Sequence, residues 1–274
     1  MRFGIVLPGG SATEQLEQAV LAEEAGWDGV FAWEAAYGVD AWSLLAAIAV
    51  RTSRVTIGTL LTPLPWRRPW KLASQVATVD RLSGGRVVLT VGIGAVMDDL
   101  PQTGEVTDLK ERAERLDEGI DLMRTLWAGG SRFEGRYYTY RAGELDELAS
   151  MGAPARPRIP IWVVAVWPRP KSMRRALRCE GVVPQYAAEG HDAGPEDALA
   201  LRRWLDEHGA RGADLVVDGE TSATDPGAGR DVVAGWAAAG CTWWLETRWE
   251  MPHGSPERMQ QVRERLAAGP PRLD

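Results

Sequence analysis

Short, nearly continuous apolar runs alternate along the chain with stretches whose apolar residues recur every three or four positions. The runs are Phe3–Leu7, Gly29–Trp33, Val55–Leu61, Val87–Gly92, Ile161–Val166, Val182–Tyr186, Leu215–Asp218 and Thr242–Thr247. Such runs predict parallel strands buried on both faces. The stretches between them predict helices. Ser11 and Glu14 have capping-box spacing and open a helix that ends by Gly26. Leu109, Ala113, Leu116, Ile120, Met123 and Trp127 form a stripe that faces a core. Ser255-Pro256 opens a last helix carrying Met259, Val262 and Leu266. Eight strand–helix units predict an α/β fold, a single (β/α)8 TIM barrel over residues 1–274. A doubly wound sheet is the alternative, but Leu7-Pro8-Gly9-Gly10-Ser11 lacks the glycine spacing of a dinucleotide-binding turn. Two stretches break the rhythm. One is an irregular connection, 129–158, with a hairpin pattern at Phe133–Tyr140. The other, 218–230, follows the seventh strand and is a candidate mobile lid or a plain surface loop.

Composition narrows the class. The chain has 274 residues, 45% hydrophobic and 25% charged, which is ample for a packed core. The balance of 31 basic against 38 acidic residues argues against a nucleic-acid binder. No apolar run approaches the roughly 18 residues of a membrane span. The start, MRFGIVLPGG, reads as a strand rather than a secretion signal. Cys179 and Cys241 spell neither a metal site nor a disulfide framework, which points to the cytoplasm. The 13 tryptophans, against 3 Phe and 5 Tyr, either wall a flat ligand or fill a core, and core filling is the plainer reading. A soluble α/β enzyme remains.

Four segments carry a resemblance: Ala22–Val30 (AEEAGWDGV), Ile57–Pro69 (IGTLLTPLPWRRP), Ala73–Gly94 (ASQVATVDRLSGGRVVLTVGIG) and Pro160–Pro184 (PIWVVAVWPRPKSMRRALRCEGVVP). From Met1 to near Pro184 the chain resembles the luciferase-like monooxygenases, FMN-dependent monooxygenases and deazaflavin (F420)-dependent oxidoreductases. The resemblance implies a bacterial-luciferase-like barrel, F420 or FMN as cofactor with a lean to F420, and a homodimer. Its most specific run, Asp80-Arg81-Leu82-Ser83-Gly84-Gly85-Arg86, lies between a helix and a strand. It therefore belongs to the bottom of a barrel, as a turn in which Asp80 and Arg86 are placed to pair.

Barrel chemistry sits at the strand C-termini. After the third strand come Thr59, Leu60 and Thr62, where the resemblance implies a cis peptide, at Thr59–Leu60, bulging toward a flat ring. Ile93 and Gly94 follow the fourth strand, where small residues allow close approach. Relatives often carry glutamate at the place of Ala95. Arg169, Lys171 and Ser172, at a predicted helix start, form the best anion site. The resemblance places the cofactor phosphate there too, although relatives often have two glycines where Val166-Trp167 stand. Arg174, Arg175 and Arg178 read as a solvated outer face. Glu34 matches an acid of the family, while Ala35 stands at the place of a histidine often linked to catalysis. Glu34 is either a general acid or a loop anchor.

Gln185 and Glu246, at the sixth and eighth strand ends, complete the candidate catalytic set, with Glu246 and Arg248 also placed to pair only with each other. His191, His208 and His253 lack metal-ligand spacing, so no metal is expected. No hydrolase elbow or phosphate-binding Walker loop is present in the sequence. The reading is a flavin-type oxidoreductase acting on a small organic molecule, by F420 hydride transfer or FMN monooxygenation. A barrel that binds a flavin or small ligand without turnover is the alternative. An isomerase or hydrolase of a phosphorylated metabolite is a weaker one. Neither nucleic acid nor membrane is an expected partner.

Overall fold

Each of the eight apolar runs is a strand in the computed structural model, which describes residues 1–34, 37–96, 103–143, 153–156, 158–186, 193–247 and 255–273. The barrel strands are β1 (Arg2–Val6), β2 (Gly29–Ala32), β3 (Thr56–Thr59), β5 (Val87–Gly92), β8 (Ile161–Trp167), β9 (Gly181–Tyr186), β10 (Asp214–Gly219) and β11 (Trp243–Glu246). All pairings around the ring are parallel, in the order β3-β2-β1-β11-β10-β9-β8-β5, and β5 closes back on β3. A two-residue strand, β4 (Thr62–Pro63), resumes the line of β3 and pairs higher on β5.

Helices α1 (Ala12–Glu24), α2 (Ala41–Arg51), α3 (Pro69–Leu82), α4 (Leu109–Trp127), α5 (Pro170–Ala176), α6 (Pro195–Glu207), α7 (Pro226–Ala238) and α8 (Pro256–Ala267) belong to the outer layer. The capping box at Ser11 and Glu14 forms as its spacing requires, and Ser255 caps α8. The hairpin pattern in 129–158 becomes antiparallel β6 (Arg132–Glu134) and β7 (Thr139–Arg141), tied to α4 where the Glu118 carboxylate accepts from the amides of Arg136, Tyr137 and Tyr138.

Two apolar layers result from the period-two alternation of the strands. Ile5, Val30, Ile57, Leu89, Val163 and Leu215 face the helices, whereas Val6, Phe31, Val88, Trp162, Val183, Val216, Trp243 and Leu245 fill the interior. The interior floor is aromatic. Phe31 lies 5.4 Å from Trp162 and 5.9 Å from Trp243, centroid to centroid, and the two indoles are 5.4 Å apart. Glycines make room for them: a Cβ at Gly181 would meet Trp162 at 2.3 Å, and one at Gly29 would meet Trp243 at 2.9 Å. Below, Arg2 lies 4.3 Å from the Trp243 ring and pairs with Asp214 at 3.0 Å, and Asp214 accepts from Trp162 Nε1 at 3.2 Å. Two of the 13 tryptophans thus form the floor, and the opposite, C-terminal end is left for chemistry.

Several expectations need correction. Asp80 and Arg86 do not pair. Asp80 is fully buried and accepts from the Ala155 amide at 2.9 Å and Arg156 at 3.2 Å. Arg86 instead donates to the carbonyls of Ala49, Thr52 and Val55 at 2.7–2.9 Å, supplying partners to the C-terminal end of α2. Much of segment 218–230 is regular structure. It holds the end of β10, a short turn and the first residues of α7, with Thr221 buried and bonded to Glu246. Leu109, expected in the core, is 54% exposed, because the first turns of α4 edge a groove instead of the barrel. Among the described residues no helix is long and apolar enough to cross a membrane.

Candidate functional site

At the top of β3 the hydrogen-bond ladder stops and restarts. Thr59 still pairs with Ala32 of β2, and the Leu60 amide donates to the Ala32 carbonyl at 3.0 Å. The break therefore comes one residue later than expected: the cis peptide is Leu60–Leu61, not Thr59–Leu60. Leu60 packs on the interior cluster, and Leu61 covers Gly92, where a Cβ would meet its Cδ2 at 2.8 Å. These two leucines line the mouth on the β3 side.

Behind them, away from the mouth, lies a polar network that unites three of the predicted residues. Thr59 and Thr62 are fully buried, with their hydroxyls 3.0 Å apart. Thr62 donates to Glu34 Oε2 at 2.7 Å and accepts from Trp42 Nε1 at 3.2 Å. Glu34 Oε1 takes a hydrogen bond from Arg67 Nε at 2.5 Å and a second contact from Nη2, and Arg67 also reaches Asp40 at 3.5 Å. With its side chain only 4% exposed, Glu34 spans β2 and β4. Of the two readings of Glu34, this arrangement favours the anchor.

Burial pushes the Glu34 carboxyl up from its ordinary 4.5, against the opposing pull of Arg67 and Thr62. A carboxyl whose value rises on folding stabilises the folded chain fully below the ordinary value and loses that contribution as pH climbs through the raised one. Glu34→Gln should therefore flatten the fall in stability as pH climbs above the ordinary value of 4.5, measured as urea midpoints. An unchanged slope would show that Glu34 does not set it.

The strand-four glycines are also used internally. Gly94 has φ +76°, and a Cβ there would meet Trp66 Cζ3 at 2.3 Å, so the ring that approaches it is the protein's own. Trp66 donates to the Val106 carbonyl at 2.9 Å, and Arg112 crosses from α4 to bond the carbonyls of Ile93 at 3.1 Å and Gly94 at 2.7 Å. Ile93 itself opens outward.

From Val166 of β8 and Ile93, just past the end of the neighbouring β5, a groove of about 850 Å³ runs between α4 and α5. Arg169, Lys171 and Ser172 line it together with Arg174, Arg175 and Arg178. The assignment of all three latter arginines to a solvated face fails for Arg175. It is buried and grips Asp117 through Nε at 2.6 Å and Nη2 at 2.8 Å. Arg178 pairs with Asp117 and Asp121, while Glu114 is taken by Lys110 and Arg136. Arg169, Lys171 and Arg174 are exposed and have no carboxylate partner among the described residues. Ser172 accepts from the Val166 amide at 2.8 Å, which leaves its O–H to donate. The preceding turn contains a cis bond at Trp167–Pro168 that the sequence did not signal. Because α5 has seven residues and begins with proline, the anion-binding capacity here rests on side chains more than on helix N–H groups.

Glu246 lies elsewhere. Trp243 and Leu245 point into the barrel, so Trp244 and Glu246 point out of it. The fully buried carboxylate accepts from the Thr221 amide at 2.6 Å, Thr221 Oγ1 at 2.8 Å and Trp244 Nε1 at 3.2 Å, and Arg265 of α8 lies 3.5 Å away. Arg265 is an ionic partner of this carboxylate; Arg248, the expected one, falls outside the described residues, as do Ala35, His191 and His253. Gln185 is exposed at the end of β9. His208 is exposed and stacks on Trp204 at 4.1 Å. Burial pushes the Cys179 thiol up to about 11 and that of Cys241 to about 12.

Comparison with known proteins agrees with this architecture. The F420-dependent glucose-6-phosphate dehydrogenase of Amycolatopsis mediterranei is 38% identical over 164 residues, covering 56% of this chain and 47% of that protein. The chain thus spans about half the length of the curated relatives it matches. A monooxygenase from Streptomyces bottropensis superposes with a TM-score of 0.75 at 20% identity, over 98% of both chains. An F420-dependent secondary alcohol dehydrogenase, solved with an F420-acetone adduct, gives 0.67 at 20% identity over 98% of this chain and 84% of that one. These two likenesses establish the barrel fold. The family model for luciferase-like monooxygenases matches residues 1–225, and the chain belongs to that family.

Proposed function

We propose that this chain is a flavin-type oxidoreductase that holds F420, or FMN in its place, at the barrel mouth and acts on a small organic molecule. The observation that carries the reading is the groove at Ile93 and Val166, with Arg169, Lys171 and Arg174 along it unclaimed by any described carboxylate. Three cations without a carboxylate partner among the described residues fit the phosphate of a flavin-type cofactor, and two of the groove's acids, Glu114 and Asp117, are already paired with Lys110, Arg136, Arg175 and Arg178, while Asp108 caps α4. The groove begins at Ile93, one residue beyond the Gly92 that Leu61 covers, so a ring bound against Leu61 would have its charged tail close to the groove.

Bound there, the cofactor supplies the hydride or oxygen chemistry. The protein's part is to place it. Leu60 and Leu61 offer an apolar wall for a flat ring and help keep water from one face. Thr59, Thr62, Glu34, Trp42 and Arg67 hold that wall from behind as positioning residues. The curated relative named above is F420-dependent, which supports F420 over FMN. Fluorescence titration of the purified chain tests the proposal. F420 should bind in the micromolar range and more tightly than FMN, whereas no binding of either below about millimolar would refute it.

A further inference from the structure

Arg112 is a buried cation that forms no ion pair among the described residues. It is 6% exposed and lies 5.7 Å from the centre of the Trp66 ring. It donates to three carbonyls, those of Thr107 at 3.2 Å, Ile93 at 3.1 Å and Gly94 at 2.7 Å. The adjacent Glu111 pairs with Arg115 instead, at 2.7 Å. Asp108 acts on Arg112 only from a distance, since its exposed carboxylate caps α4 by accepting from the Glu111 amide at 2.7 Å. Carbonyl dipoles and an indole face offset part of the cost of burial but cancel none of the net charge. One unit of positive charge therefore stands behind the end of β5, next to the Gly92 that Leu61 covers.

The carbonyls that Arg112 holds fix the two amides that follow them. A trans peptide sets its N–H opposite its C=O, and neither peptide here is cis. Capture of the Ile93 and Gly94 carbonyls from α4 thus turns the Gly94 and Ala95 N–H groups away from α4. Neither amide has an acceptor among the described residues; Gly94 is half-buried and Ala95 exposed. A cation on a carbonyl also polarises the peptide and strengthens its N–H as a donor. The end of β5 therefore presents positive potential to the mouth. Hydride transfer carries two electrons and one proton out of a substrate C–H bond. The donor is left one unit more positive and the acceptor one unit more negative. Fixed positive charge beside a flavin-type ring stabilises the more negative form. We infer that Arg112 is a positioning residue whose charge, acting through the end of β5, favours the reduced cofactor over the oxidised one. This rests on the oxidoreductase reading for the place of the ring. Arg169, Lys171 and Arg174 meet the same phosphate charge in both forms and do not discriminate between them.

The test compares oxidised F420 with borohydride-reduced F420 on the native full chain, Arg112→Gln, Arg112→Lys and Asp108→Asn. Both affinities are read without oxygen by tryptophan quenching, and their ratio is the result. Gln keeps a donor for the carbonyls and drops the charge. It should lower the preference for the reduced form about tenfold, the effect of one nearby unit charge at the effective dielectric of a protein. Lys keeps the charge and should hold the preference within about threefold of native. Asp108→Asn keeps the helix cap, removes the opposing acid and should raise the preference about twofold. A strut with no electrostatic role would weaken both forms alike and leave the ratio unmoved. A native ratio in Arg112→Gln, or an equal loss in Arg112→Lys, would overturn the inference. If Arg112→Gln does not fold, Asp108→Asn decides: a rise supports the inference, and an unmoved or falling ratio overturns it. A native chain that binds neither F420 nor FMN would overturn the oxidoreductase reading and this inference together, whereas binding with an unmoved ratio overturns this inference alone.

Discussion

Replacing Arg169, Lys171 and Arg174 together by alanine should weaken F420 binding about a hundredfold while leaving the fold intact. The magnitude follows from the setting of the three charges. Each is exposed and so is worth about 1 kcal/mol toward a bound phosphate, well below a buried charge-assisted hydrogen bond. Three such contributions sum to about 3 kcal/mol, or roughly two decades in affinity. The fold should be indifferent because none of the three makes a carboxylate contact among the described residues. Arg175 is deliberately spared: it ties α5 to α4 through Asp117, and its loss would confound affinity with stability. Fluorescence titration at several salt concentrations checks both parts. The native affinity should fall with salt, and the triple variant should be nearly salt-independent. Native-like affinity in the variant would mean that the groove does not hold the tail.

The second large effect concerns stability. Arg265→Met should lower the unfolding free energy by about 3–5 kcal/mol, the usual result of stripping a buried ion of its partner. Arg265 is 2% exposed, donates to Thr221 Oγ1 at 3.1 and 2.8 Å and to the Gly269 carbonyl at 2.6 Å, and lies over the Trp27 ring. Without it the fully buried Glu246 loses the charge of Arg265 and retains the neutral donors of Thr221 and Trp244. For a chain of this size the melting temperature should drop by about 10 °C. Adding Glu246→Gln to that variant should recover part of the loss, because the buried charge that faced Arg265 goes with it. F420 affinity should not move in either variant. A native melting temperature would contradict the structural role given to this pair, and a changed affinity would return Glu246 to the active site.

Periodicity carried the architecture well because a barrel strand must be apolar on both faces, which leaves an unmistakable run, and because caps such as Ser11 and Ser255 mark helix starts locally. The site was less legible where its meaning depends on partners distant in sequence. Arg175 has the helical spacing of a surface arginine, and only the docking of α4 on α5 shows that Asp117 buries it. Glu246 sits at a strand end like any catalytic acid, but its direction follows from the parity of its strand. Gly94 signalled close approach correctly, and Trp66 is what approaches it. The shift of the strand break to Leu60–Leu61 lay beyond sequence, because it depends on how far the ladder with Ala32 continues.

The most direct measurement is a co-crystal structure of the full chain with F420. The phosphate should lie within hydrogen-bonding reach of Arg169 and Lys171 in the groove between α4 and α5, with the deazaflavin ring against Leu60 and Leu61. A ring bound away from those leucines, or a phosphate lodged at another place such as the depression between Glu220 and Glu264, would contradict the account.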